Sequence, residues 1–365
     1  MITKEQVVDA LSNVMEPDLK KDLITLNMIR DIEIEGKNVS FTVVLTTPAC
    51  PLKALIERAC INAIIHFVDD TANVTVNMTS DVTSRRKDSK ALLPGVKNII
   101  AVASGKGGVG KSTIASNLAV ALAMNGASVG LVDADIYGPS APIMFGLENE
   151  RLAVQEIDGK AMMEPIMKYG VKVLSIGFMV DPTKAIAWRG PMASRALTQL
   201  FSDAIWGDLD YLIIDLPPGT GDIHLSLVST VPVTGAVIVT TPQQVSLADA
   251  VKGISLFQMD AINVPVLGLI ENMAYFTPAE LPDNKYYIFG RDGGKRLAAE
   301  LNIPFLGQIP IVQGICEGGD NGRPIVLDEG TPSNLAFMEL ARTIAQQIAI
   351  RNANLEPTKI VQPAH

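Results

Sequence analysis

The chain has 365 residues, more than one ordinary domain of roughly 150 residues needs, and its 48% hydrophobic and 19% charged content excludes wholesale disorder. Lys+Arg 30 against Asp+Glu 39 leaves a net charge of −9, which argues against a protein whose main task is gripping nucleic-acid phosphates. No apolar run reaches the roughly 18 residues of a spanning helix, the start lacks a secretory leader's shape, and three cysteines are too few for a disulfide scaffold, so a soluble cytoplasmic protein is expected.

Residues 1–80 read as a small α/β unit. Thr3 and Gln6 have capping-box spacing, and Val7, Val8, Leu11 and Val14 follow at helical period. Over 38–47, Val39, Phe41, Val43 and Leu45 alternate with more polar neighbours, as in a strand with one buried face. Glu35-Gly36-Lys37 supplies a turn before it, a helix follows Pro51, and 73–78 reads as another strand. Composition shifts over 81–97, where Arg85-Arg86-Lys87-Asp88-Ser89-Lys90 and Pro94-Gly95 read as a solvated linker. From 98 to 350, short apolar runs at 99–103, 129–132, 211–214, 236–239 and 266–270 alternate with helical stretches. Strands of that kind are buried on both faces, which predicts an α/β fold with a mainly parallel sheet flanked by helices. A closing helix is expected over 335–350 and a loose polar tail over 351–365.

The run Gly105-Lys106-Gly107-Gly108-Val109-Gly110-Lys111-Ser112-Thr113 fits G-x-x-x-x-G-K-[ST], with a predicted strand at 98–104 before it and a helix at 111–125 after it. Glycines let backbone amides close around phosphate oxygens, and the helix N-terminus adds its positive end. Lys111 can reach the β- and γ-phosphates and the Ser112 hydroxyl can ligate Mg²⁺. Tyr211-Leu212-Ile213-Ile214-Asp215 is an apolar strand ending in a carboxylate suited to hold Mg²⁺ through water. Leu131-Val132-Asp133-Ala134-Asp135 ends a second strand and offers a carboxylate pair near the γ-phosphate.

With Lys106 inside the loop, residues 98–350 resemble the deviant Walker-A ATPases of the MinD/ParA/Mrp class, a P-loop NTPase fold. That resemblance implies a homodimer in which Lys106 enters the partner's nucleotide site and slow hydrolysis follows closure. Asp133-Ala134-Asp135-Ile136-Tyr137-Gly138-Pro139-Ser140, Trp188-Arg189-Gly190-Pro191-Met192, Asp215-Leu216-Pro217-Pro218-Gly219-Thr220-Gly221-Asp222, Thr240-Thr241-Pro242-Gln243 and Glu271-Asn272-Met273 occur in the order of the Mrp branch, the iron–sulfur cluster carrier ATPases. The resemblance implies that Asp135, with or without Asp133, orients the attacking water, that 215–219 senses the γ-phosphate, and that Asn272 contacts adenine. ATP is favoured over GTP on this ground alone. Read by itself, Arg189-Gly190-Pro191 is an ordinary helix start with Pro in the first turn.

The N-terminal unit resembles the SufT-type domain of iron–sulfur assembly through Thr46-Thr47-Pro48-Ala49-Cys50-Pro51. Placed before a helix, Cys50 is expected to be favoured as a thiolate, the form that ligates iron. Cys60 shares a helical face with Leu52, Ile56, Ala63 and Ile64, which fits core packing; Cys316 lies in a glycine-rich stretch read as a loop; and His66, His224 and His365 have no ligand spacing. Where the Mrp branch carries C-x-x-C, this chain has Phe276-Thr277-Pro278-Ala279-Glu280-Leu281-Pro282-Asp283, whose carboxylates are poor iron–sulfur ligands. Cys50 ligating a cluster, Cys316 doing so at a dimer seam, and an ATPase that holds no cluster remain three readings. The function implied is an Mg²⁺-dependent ATPase that binds, transfers or helps assemble iron–sulfur clusters on apo proteins, without membrane or nucleic acid. A MinD/ParA-type organiser acting on membrane or DNA and a P-loop phosphotransferase are the alternatives.

Overall fold

A computed structural model describes residues 2–86, 92–180, 190–278, 280–281 and 284–361, with Gly190, Pro191 and Asp222 described by backbone alone. It divides into a unit of 1–84 with 345–355 and a larger unit of 85–344 with 356–365.

In the smaller unit, helix α1 (Lys4–Leu11) begins with the expected capping box: Thr3 Oγ1 accepts from the Gln6 amide while Gln6 Oε1 accepts from the Thr3 amide. Strands β1 (Ile29–Glu35), β2 (Asn38–Leu45) and β3 (Asn73–Ser80) form a sheet in that order, β1 antiparallel and β3 parallel to β2. The alternation in β2 buries Val39, Phe41, Val43 and Leu45 as predicted, against Ile56, Cys60 and Ile64 of α2 (Lys53–Phe67). Strand β1, whose buried face is weaker, was not legible in the sequence.

The larger unit is built on an eight-stranded sheet. Its strands are β4 (Val96–Ala103), β5 (Val129–Asp133), β8 (Ile166–Lys168), β9 (Val171–Ser175), β10 (Leu209–Asp215), β11 (Gly235–Thr240), β12 (Val266–Glu271) and β13 (Phe305–Gln308). A separate hairpin of β6 (Ala153–Ile157) and β7 (Lys160–Glu164) lies between β5 and β8 in the chain. The spatial order is β8-β9-β5-β10-β4-β11-β12-β13, parallel except for β8 against β9. All eight residues of β4 but Lys97 are buried, as are all of β5 and β11, so continuous apolar runs did mark central strands. Helix α3 (Lys111–Met124) is buried along nearly its whole length, α7 (Gln244–Gln258) packs on β11 and α8 (Gly293–Glu300) on β12.

The predicted linker is not merely solvated chain. Arg86 donates to the carbonyls of Leu92, Leu93 and Val96, closing the stretch on itself, and residues 87–90 of the basic run lie, with residue 91, outside the described residues. The tail expected to be loose from 351 differs too. The last helix, α10 (Pro332–Asn354), runs four residues further than predicted, with Arg351 and Asn352 buried. Beyond it the Thr358 amide donates to the Arg85 carbonyl at 2.9 Å and Val361 to Val228 at 3.0 Å. Backbone pairing holds this polar segment, and no side-chain period announces it.

Candidate active site

The loop 105–113 leaves the end of β4, between its neighbours β10 and β11, and runs into α3. Position 105 requires glycine for packing: a Cβ there would lie 1.9 Å from the Asp249 carbonyl oxygen, because the backbone of α7 passes against the loop. Lys111 is 6% exposed, and its Nζ sits 2.5 Å from Asp215 Oδ1 and 3.3 Å from Ser112 Oγ. The three predicted residues therefore converge from α3 and the end of β10. Lys106 is exposed and lines the same cleft of 250 Å³ with Asp135, Gly138 and Pro218. The oxygen pair of Ser112 and Asp215, both within reach of one ammonium, is a hard-donor set that fits Mg²⁺.

The two carboxylates at the end of β5 have different surroundings. Asp133 is fully buried and accepts from the amides of Ser140 (2.9 Å), Ala141 (3.0 Å) and Asp135 (3.2 Å) and from Ser175 Oγ (3.0 Å). It caps the short helix α4 (Ala141–Met144), and burial, then the Asp215 charge, pushes its carboxyl up to about 7. Asp135 lines the cleft, and burial raises its carboxyl while Lys111 pulls the other way.

The switch-like segment after β10 is tied to both neighbours. The Ala134 amide donates to the Asp215 carbonyl at 2.9 Å, Leu216 to Val102 at 3.1 Å and Gly219 to Ser104 at 2.8 Å. Helix α6 (Asp222–Thr230) follows, carrying His224, which is 2% exposed and stacked edge-on against Phe257. By hydrogen-bond geometry neither ring nitrogen is satisfied among the described residues, and burial, which outweighs the opposing pull of the nearby Gly221 carbonyl, holds the imidazole down at about 4. Its lack of ligand spacing gave no hint of this position; a ring among Ile223, Leu225, Leu227 and Val228 was the available signal.

Asn272, at the end of β12, is 5% exposed, and its Nδ2 donates to the Val109 carbonyl at 2.8 Å. It also lines a groove of 450 Å³ with Met273, Ile311 and Cys316, which shares Gly110, Thr113, Ser140 and Met144 with the phosphate cleft. The two hollows thus adjoin one another across these four residues.

Cys316 is not in a loop: it lies on helix α9 (Gln313–Asp320), whose Gly318 has a virtual Cβ 2.7 Å from the Arg323 carbonyl oxygen and so allows close packing. Its thiol is exposed and raised by Asp320. Cys60 is wholly buried and pushed up to about 12, first by burial, as core packing predicts. For Cys50 the expected thiolate preference is overturned: burial, with Glu16 and Asp18, raises the thiol, and the Leu52 and Lys53 amides only partly offset this. Among the described residues no group of three His, Cys, Asp or Glu side chains is placed to hold a metal. Gly190 does begin helix α5 (Gly190–Ser202), while Trp188, Arg189, Asp283 and His365 lie outside the described residues. No described helix is long and apolar enough to cross a membrane.

The family model of the NUBPL iron-transfer P-loop NTPases matches residues 95–348, and that of an iron–sulfur cluster assembly protein matches residues 4–79. The chain is similar to the iron–sulfur cluster carrier protein of Synechocystis sp., 47% identical over 352 residues covering 96% of this chain and 99% of that one. It is 40% identical to the iron–sulfur cluster carrier protein of Escherichia coli over 346 residues, 94% of this chain and 92% of that one. Among solved structures, a nucleotide-binding protein from Archaeoglobus fulgidus in complex with ADP matches with a TM-score of 0.57 at 38% identity, covering 67% of this chain and 93% of that one. The cell-division ATPase MinD of Pyrococcus furiosus matches with a TM-score of 0.50 at 24% identity over 68% of this chain and 98% of that one, a likeness of fold.

Proposed function

The chain belongs to the NUBPL iron-transfer P-loop NTPase family, and from that membership we propose that it is an Mg²⁺-dependent ATPase that assembles or carries iron–sulfur clusters for apo proteins. The observation that carries the reading is the buried convergence of Lys111, Ser112 and Asp215 under the phosphate loop, in a chain similar from end to end to cluster carrier proteins.

ATP enters with its phosphates against the amides of 107–113 and its base in the groove beside Asn272 and Met273. Lys111 exchanges its Asp215 partner for β- and γ-phosphate oxygens, a swap between anions that keeps the buried ammonium paired throughout. Ser112 and Asp215 would then hold Mg²⁺, which neutralises charge developing between the β- and γ-phosphates. Asp135 accepts a hydrogen bond from the attacking water, and burial, by raising its carboxyl, makes it a stronger acceptor than an exposed carboxylate. Lys106, exposed at the cleft, acts on the γ-phosphate of a second copy, so hydrolysis is slow until two chains close. Loss of the γ-phosphate is passed to 215–219 through the backbone bonds that tie this segment to Ser104 and Val102.

The cluster is cargo. Cys60 is sealed in a core and Cys316 sits in the wall of the base groove, which leaves the half-buried Cys50 of the assembly-type unit as the thiol for iron. Its raised pKa favours the protonated thiol, so iron binding releases a proton and strengthens with pH. The test is anaerobic reconstitution with iron and sulfide, followed by transfer to an apo iron–sulfur protein with and without Mg–ATP. Transfer that survives Cys50→Ser unchanged would reject Cys50 as the cargo ligand, and absence of ATP turnover would reject the whole reading.

A further inference from the structure

The phosphate loop needs its backbone N–H groups turned toward the ligand, and one peptide in it is free to turn the other way. The unit joining Val109 to Gly110 precedes α3, so its carbonyl receives no intrahelical bond. Gly110 adopts φ +79, a conformation that glycine enters and leaves with little steric cost. The carbonyl and the N–H of one trans peptide point in opposite directions. A flip of this unit would turn the Val109 oxygen toward the phosphates and bury the Gly110 N–H.

One side chain blocks that flip. The Asn272 amide, 5% exposed, donates to the Val109 carbonyl at 2.8 Å from beneath the loop. Contact is so close that a Cβ on Gly110 would lie 2.2 Å from Asn272 Nδ2. The asparagine is itself fixed. Its backbone N–H donates to the Thr240 carbonyl at 2.8 Å, and the next residue, Met273, takes φ +53, a left-handed turn that a non-glycine residue adopts only when its surroundings impose it. Glu271 before it accepts from the Gly294 amide and from Gln308 Nε2, pinning the end of β12 to α8 and β13.

We propose that Asn272 is a positioning residue for the phosphate cradle: it locks the Val109–Gly110 peptide with its carbonyl inward, so that the Gly110 N–H faces the cleft before any nucleotide arrives. This rests on the nucleotide-binding reading above and assigns Asn272 a task in addition to contact with adenine, for which its second amide N–H and its Oδ1 remain. The lock acts on the phosphates whatever base they carry.

The test uses the full chain with Asn272→Ala, which removes the amide, and Asn272→Asp, which keeps its size and removes the donor. Hydrogen–deuterium exchange without nucleotide is measured over 105–116, and affinity is measured by calorimetry for Mg–ATP and for Mg–tripolyphosphate, which has no base. Loss of one such buried hydrogen bond predicts exchange about fivefold faster in this segment and both affinities weakened about five- to tenfold alike, with the melting temperature lowered by only a few degrees. Unaltered exchange, or a loss confined to ATP, overturns the proposal and leaves Asn272 as a base contact. If the wild-type protein binds neither ligand, the nucleotide reading falls, while the exchange result still decides the lock.

Discussion

The buried imidazole of His224 makes a quantitative prediction about stability against pH. Burial depresses it to about 4, from 6.5 in the unfolded chain. The folded state therefore holds fewer protons than the unfolded state between those values, so the contribution of His224 is complete above pH 6.5 and is lost as pH falls toward 4. Between pH 7.5 and 4.5 that loss is about 2.5 kcal/mol. Asp133 slopes the other way: raised from 3.8 to about 7, it favours the fold at low pH and ceases to do so as pH climbs through that range. In the wild type the two oppose each other and neither is visible alone.

A difference isolates the histidine. His224→Phe places a neutral ring beside Phe257, and the pH-independent part of the change has opposing pieces. Removing two unsatisfied buried nitrogens gains about 1–3 kcal/mol each, while a larger ring in a packed site costs about 1–3 kcal/mol. The offset at pH 7.5 is thus uninformative and the slope is the signal. Urea unfolding is followed through Trp206, which is 2% exposed in the same unit and donates to the Leu200 carbonyl. The variant should gain about 2.5 kcal/mol on the wild type between pH 7.5 and 4.5. A difference that stays level over that range would show that the imidazole has a partner or water, and the argument from its isolation would fail.

Other consequences separate the roles in the cleft. Lys111→Ala should weaken Mg–ATP by roughly tenfold to a hundredfold and take turnover to background, checked by calorimetry and phosphate release; turnover unchanged would refute the assigned loop. Lys106→Ala should leave binding to one chain nearly intact and lower turnover by about a thousandfold, and mixing it with an active-site-dead partner should restore part of the rate if the lysine acts across the dimer. Asp135→Asn should lower kcat by about a hundredfold or more with affinity kept. Asp133→Asn should instead destabilise the fold by on the order of 2 kcal/mol, because an amide nitrogen would replace one of its two acceptor oxygens and face a backbone N–H, that of Asp135 or those of Ser140 and Ala141; the melting temperature reads the difference.

What the sequence reveals and what it conceals divide along a physical line. The β4–loop–α3 unit was legible because its demands are local: an apolar strand, glycines, and a lysine at a helix start are consecutive in the chain. Asp215 was legible because a carboxylate closing an otherwise apolar strand must be answered at the strand's end by a cation, a metal or a set of donors. Asp133 and Asp135 have nearly the same local signature, and only the fold tells them apart, by bringing Ser140, Ala141 and Ser175 to one and open cleft to the other. Asn272 lies 163 positions from the carbonyl it holds, and no spacing rule connects them. The same holds for Cys50, where helix position alone suggested a thiolate until burial, with Glu16 and Asp18 behind it, opposed the charge. Chemistry written in consecutive residues can be read before folding; chemistry that depends on which donors surround a charge requires the packed chain, because the same carboxylate or thiol has a different pKa in each setting.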